Sequence, residues 1–316
     1  MLFARKDIYP RELVIDDMFD FGIEQKVFDI GGVKVGGTPG ERPTVLIGTI
    51  FYRKQKILKD ELKGKFDRPK AEELINTQEE FSEKTGNPCM LDVVGASSEA
   101  LIKALDFTAE VSSVPLLLDG ISARIRIDGL SYATESGLSD RIVYNSINPE
   151  YKPEELSALR ESGVNSALIL AYDTKDFTSR GRFKAVNELV PKLLEAGVEN
   201  IICDTCVLDI PSLGSACEAV YNIKDKLGYP AGCGAHNAVG TWRGLKTKMG
   251  KQARNPSMAV ASVLPMASGA DFVLYGPIEE ADYIFPTVAL VDAAYAQLAI
   301  ERGKRPSTSH PIFKIP

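Results

Sequence analysis

Histidine is scarce in this sequence: His236 and His310 are the only two among 316 residues. With no G-x-S-x-G elbow either, a Ser-His-Asp hydrolase has almost nothing to build on. Cysteine is sparse and odd in number (Cys89, Cys203, Cys206, Cys217, Cys233), in a chain long enough to bury a core without disulfide staples, so a reducing cytoplasmic setting is expected. Basic charge is not in excess. Lys and Arg number 37 against 43 Asp and Glu, a net charge of −6 that removes the footprint nucleic-acid binding needs but allows a local basic patch. Long apolar runs are missing too. The first 20 residues intersperse Arg5, Lys6, Asp7, Arg11, Glu12, Asp16, Asp17 and Asp20, so no signal-peptide core is expected there. Stretches such as 257–270 are too short, and too rich in Pro, Ser and Gly, to span a bilayer, so no direct membrane insertion is expected. The phosphate-binding patterns G-x-G-x-x-G and G-x-x-x-x-G-K-[ST] are absent from GGVKVGG and GCGAHN.

What the chain does have is rhythm. At 44% hydrophobic and 25% charged it has the profile of a globular protein. Short Val-, Ile- and Leu-rich runs predict strands at about 44–51, 89–94, 115–118, 141–145, 166–171, 200–204, 230–234 and 271–275. Continuous apolar runs of this kind suit buried parallel strands. Amphipathic stretches between them predict helices at about 68–85, 97–111, 122–136, 153–162, 180–196, 211–227, 257–268 and 279–302. Asp67, with Pro69 in the first turn, and the serine pair at 97 and 98 read as helix starts; Gly137, Gly163, Gly197 and Gly228 read as stops. Eight strand-then-helix units favour an α/β fold of one closed (β/α)8 TIM barrel over an open doubly wound sheet. Residues 1–43 stand outside that count. There EQKVFDIGGVKVGG alternates about a Gly pair, which predicts a β-hairpin covering the barrel bottom or an interface. No linker divides 1–316, so a single domain is expected, with the tail RPSTSHPIFKIP extended over the surface.

Chemistry in a barrel collects where strands end. Asp92 closes the second strand, Asp119 the third, Asn145 the fourth, Asp173 the fifth and Asp204 the sixth, while Asn237 lies in the loop after the seventh. Any one of these is as well explained as a helix cap or Asx-turn. Six around one rim suggest a shared site. Carboxylates and amides without histidine suit neither zinc nor neutral-pH proton transfer; they suit a flat heterocycle such as a 2-amino-4-oxo pyrimidine, whose adjacent N–H donors match a carboxylate. The cysteines offer a rival. Cys206, Cys233 and His236 would make a chemically reasonable zinc set for a thiol methyltransferase, but Cys203 and Asp204 are adjacent in a strand and must face opposite sides. No metal site is expected on balance. The basic, loop-like segment WRGLKTKMGKQAR, residues 242–254, reads as a solvated run or as a contact for an anionic tail or partner.

The stretches EQKVFDIGGVKVGGTPGERPTVLIGTIFY, TGNPCMLDVVG, DRIVYNSINPEYKPEEL, DTCVLDIPSLG and GCGAHNAVGTW resemble the H-subunit family of the tetrahydromethanopterin S-methyltransferase complex, and its bacterial relatives that act as methylcorrinoid:tetrahydrofolate methyltransferases. The likeness covers about 22–310; residues 1–21 are an extension outside it. More distantly the chain is similar to the other pterin-binding barrels, including dihydropteroate synthase. The resemblance implies a usually homodimeric barrel holding a reduced pterin in its mouth. It assigns Asp92, Asp119, Asn145 and Asp204 to pterin binding, with Asp204 on the pyrimidine N–H edge, and Asn237 to binding and catalysis near N5. It further implies methyl exchange between pterin N5 and a cobalamin-type corrinoid. A D-x-H-x-x-G signature is absent and no further module remains after eight units, so the corrinoid is expected on a separate carrier protein. Tetrahydrofolate is the expected pterin, in demethylation metabolism of the methylamine type, with tetrahydromethanopterin the alternative. Folate-specific relatives have LDSTN where this chain has LDGIS at 118–122.

Overall fold

A computed structural model of the protein describes residues 18–315. Eight parallel strands close into a barrel, in chain order around the ring: β1 Val45–Ile50, β2 Cys89–Gly95, β3 Leu116–Gly120, β4 Ile142–Ile147, β5 Ser166–Leu170, β6 Asn200–Asp204, β7 Ala231–Cys233 and β8 Phe272–Pro277. The (β/α)8 expectation holds, and the open sheet is set aside. Outside run α1 Arg68–Thr85, α2 Ser98–Val111, α3 Ala123–Glu135, α4 Pro153–Ser162, α5 Ser179–Glu195, α6 Ile210–Leu227, α7 Arg254–Val263 and α8 Ala281–Glu301.

The local signals act where expected. Asp67 accepts from the Lys70 N–H to start α1, and Ser97 from Ala100 to start α2. Gly228 ends α6 at φ +67°, a conformation that costs a side-chain-bearing residue about 1 kcal/mol. Some elements differ from expectation. α7 begins earlier, at Arg254, and the stretch after it from Leu264 to Ser268 tightens into a 3-10 turn around Pro265. The segment after β7 is not simply a loop, since Leu245–Met249 forms a π-helical turn. A second small hairpin, Leu58–Asp60 with Lys65–Phe66, follows β1; its strands are too short to leave a periodic signal. The tail is not simply extended either: it closes in a 3-10 turn, Pro311–Phe313, started by the buried His310.

Alternation along each strand sorts the core. Val45, Ile47, Met90, Leu117, Val143, Leu168, Ile202 and Phe272 share one buried cluster inside the barrel. Their neighbours Leu46, Leu91, Leu116, Leu118, Ile142, Ala167 and Ile201 pack outward into the clusters that include the helices. Ile30 and Val35, from the hairpin Val27–Ile30 with Val33–Gly36, join the inner cluster. The hairpin therefore stoppers the amino-terminal end of the barrel, and each of these fully buried side chains contributes roughly 1.5–3 kcal/mol. A buried ion pair locks this end. Lys224 of α6 reaches Asp271 at 2.7 Å and the Gly37 carbonyl at 2.7 Å. By length and apolarity α8 with its preceding turn could cross a membrane, yet Ile284, Phe285, Val288 and Ala289 are buried against the barrel. Its buried Asp292 is held by Thr44 at 2.9 Å and Asn87 at 2.6 Å.

Candidate active site

The period of two that fills the barrel also builds its mouth. Two residues beyond an inward apolar side chain lies the next inward position: Thr49 after Ile47, Asp92 after Met90, Asp119 after Leu117, Asn145 after Val143 and Asp204 after Ile202. All five belong to the carboxyl ends of strands in one closed sheet. Thr49 donates to Asp92 Oδ2 at 2.9 Å, and Asn145 Nδ2 donates to Asp92 Oδ1 at 3.0 Å. Asp119 pairs in register with Asn145. Asp204 faces this group from β6, across the ring from β2.

Electrostatics record how tightly the acids are gathered. Burial pushes Asp92 up to about 6 although Thr49 and Asn145 stabilise its anion. Burial also pushes Asp204 up to about 6, against the pull of the Cys206 and Gly234 N–H groups, and the Asp92 charge adds to the rise. Asp119 is raised well above the ordinary carboxylate range by burial and then by Asp92, with Arg126 opposing. Among the described residues no protein group hydrogen-bonds the Asp119 carboxyl. A half-buried carboxyl so close to other acids calls for an outside hydrogen-bond partner.

Two arginines brace the acids from behind. Arg126 at the start of α3 donates to the Gly120 carbonyl at 2.8 Å and to the buried Glu155 at 3.1 Å, which Tyr144 also reaches at 2.7 Å. Arg182 of α5 is buried without a carboxylate partner. It donates to the carbonyls of Thr205 at 2.6 Å, Cys206 at 3.1 Å and Phe177. That grip holds the loop in which Cys206, at φ +57°, turns its N–H onto Asp204 Oδ1 at 2.7 Å. Thr49 could have been found by the same count of two that finds the acids. Arg126 and Arg182 carry no such signal.

The mouth is completed after β7, where His236–Gly240 is a short helix and not the loop expected. A Cβ on Gly234 would stand 3.4 Å from Asn237 Nδ2, 3.6 Å from His236 Cε1 and 3.9 Å from Asp204 Oδ2, so these three groups surround one point. Asn237 is exposed there. His236 lies over Gly276, at φ +89°, where a side chain would collide with the imidazole. Its Nδ1 meets the Leu274 carbonyl at 3.1 Å and must carry the proton, which leaves Nε2 an acceptor; burial lowers its pKa and keeps the ring neutral.

One expectation and one rival reading fail. Asp173 is no rim ligand: β5 ends at Leu170, which takes the inward position, and Asp173 instead accepts the Lys175 N–H at 2.8 Å in a turn closed by its bridge to Asp176. The zinc set is not assembled. Cys233 packs outward with Leu46 and Cys89, and burial raises both its thiol and that of Cys206. His236 sits on the other side of that wall, and among the described residues no three His, Cys, Asp or Glu side chains could share a metal ion.

Nearly all of this barrel has known kin. The family model for the tetrahydromethanopterin S-methyltransferase MtrH subunit matches residues 23–306. The chain belongs to the MtrH family. The H-subunit of tetrahydromethanopterin S-methyltransferase from Methanothermobacter thermautotrophicus is 39% identical over 309 residues, covering 94% of this chain and 100% of the relative. Its counterpart from Methanopyrus kandleri is 41% identical over 312 residues, covering 92% and 97%. Among solved structures, Yersinia pestis dihydropteroate synthase superposes with a TM-score of 0.57 at 13% identity, over 86% of this chain and 100% of that one, a likeness of fold. The MtrH match thus spans nearly the whole described barrel, mouth included.

Proposed function

We propose that this MtrH-family chain is a methyltransferase that moves a methyl group between N5 of a reduced pterin and a corrinoid carried by a partner protein. The observation that carries the reading is the meeting of Asp92, Asp119, Asn145 and Asp204 in one mouth, with the Asp119 carboxyl lacking any protein partner among the described residues. Asp204 keeps acceptor capacity beyond its bond to Cys206, enough to take the adjacent N–H groups of the pyrimidine edge. Asn145 spends its amide N–H on Asp92 and offers its carbonyl oxygen to a ring N–H. Asn237, at the exposed side, donates to N5 as charge changes there during transfer, an interaction stronger in the transition state than before it. The remaining residues orient the ring, which is the positional share of catalysis.

The relatives' names favour tetrahydromethanopterin over the tetrahydrofolate expected from sequence. The corrinoid is a visiting reactant, supplied by its carrier, and a homodimer forms part of the same reading. The test mixes the purified protein with methylcobalamin and each pterin in turn and follows the corrinoid spectrum. Asn237→Ala should bind pterin normally while turnover falls by about 10²–10³. Asp204→Ala should lose most pterin affinity, by roughly 2–3 kcal/mol. Wild-type turnover from Asn237→Ala, or wild-type affinity from Asp204→Ala, would overturn the assigned roles.

A further inference from the structure

Two segments far apart in sequence, 52–65 and 242–254, hold eleven of the 37 Lys and Arg but only two of the 43 Asp and Glu. They carry +9 in a chain of net charge −6, so the remainder carries −15. The barrel brings the two together. The first leaves the carboxyl end of β1, the second follows that of β7, and β8 is hydrogen-bonded to both strands. Between them the β8 turn offers two acids, and both are engaged. Glu279 accepts from Tyr52 at 3.2 Å and from Gln55 at 3.1 Å; Glu280 is held by Arg254 and Tyr283.

The positive charge that remains is uncompensated. Arg53, Lys54 and Lys56 on one side are exposed, as are Arg243, Lys246, Lys248 and Lys251 on the other. Among the described residues none of these has an ion-pair partner. The second segment also presents one large apolar side chain, Met249 at 55% exposure. We propose that the rim over β7, β8 and β1 is a docking surface for an acidic protein, and that this protein is the corrinoid carrier, an identity that rests on the functional reading above. A small anion would need cations braced and partly buried around a point, whereas these stand free on two separate insertions. An apolar anchor ringed by charge is the anatomy of a protein interface. The charge steers a partner of opposite sign onto one side of the mouth, which speeds encounter and makes it salt-sensitive. A long polyanion is disfavoured by the −15 on the rest of the molecule.

The test is the charge-reversed variant K54E/K246E/K248E, none of whose positions lies in the pterin site. With the methyl-loaded corrinoid carrier of the same cells as donor, its KM for carrier should rise about tenfold or more. Its dependence on salt should flatten, while kcat, the KM for pterin and transfer from free methylcobalamin stay at wild-type values. Calorimetric titration of the carrier onto unreacting protein should show the same loss. An unchanged carrier KM and affinity would overturn the proposal. So would a raised pterin KM with carrier binding intact, which would make the sector an anchor for the substrate's anionic tail, or binding of mixed-sequence RNA at about 0.15 M salt that the variant loses. Wild-type protein that transfers no methyl group from either donor would instead sink the functional reading, and the calorimetric comparison would still decide the docking surface.

Discussion

Asp204 shows how much a single position can carry. Burial raises its pKa to about 6, so the group titrates within reach of experiment. Ligand N–H donors need the anion, so pterin affinity should be level above about pH 7 and fall as pH drops through 6, approaching tenfold per unit. Titration calorimetry between pH 5 and 8 checks this, and a flat profile would count against Asp204 as the acceptor. The sign for the ligand-free protein is opposite. Asp92 and Asp204 have folded pKa values raised above the unfolded ones, so their contribution to stability is present below about pH 4 and is lost as pH rises through 6. These acids are legible in sequence because each sits two residues beyond an inward apolar one. Asp173 misleads because ILAYD looks the same as LLLD and IICD, yet two steps from Leu168 lands on Leu170. Arg182 is illegible for another reason: in an amphipathic helix, a cation that bonds only to distant carbonyls looks like any solvated one.

Elements are clearer in the sequence than their interiors. Caps, glycine stops and apolar runs mark eight strand–helix units, because each signal is local and the barrel repeats it eight times. What α6 conceals is its inward cation. Lys224 is fully buried against Asp271, and no helical periodicity reveals that a lysine faces the core. Lys224→Ala would strand the Asp271 carboxylate and should cost about 3–5 kcal/mol in urea unfolding. The double variant K224M/D271N should recover much of that. A single variant as stable as wild type would show that the pair contributes nothing to closing this end. The short hairpin after β1 and the π-helical turn after β7 are equally hidden, being too brief for any periodicity to show.

At the scale of the molecule, surface character is unevenly shared. The outer faces of α7 and α8 expose Val260 at 62% and Leu290 at 66%, and between Asp282 and Glu301 the one charged residue, Asp292, is buried. In the proposed homodimer this uncharged face is where the second copy lies, and on that reading V260K/L290K should sediment as a monomer and the wild type as a dimer. A wild-type monomer would remove the homodimer from the functional reading.

Because Ile30 and Val35 fill the far end, the barrel is a cul-de-sac. Whatever enters to reach Asp204 passes Asn237, and it has to retreat along the same path. A visitor large enough to span the rim therefore imposes an order of events: the bicyclic ring arrives before it and departs only after it has lifted away.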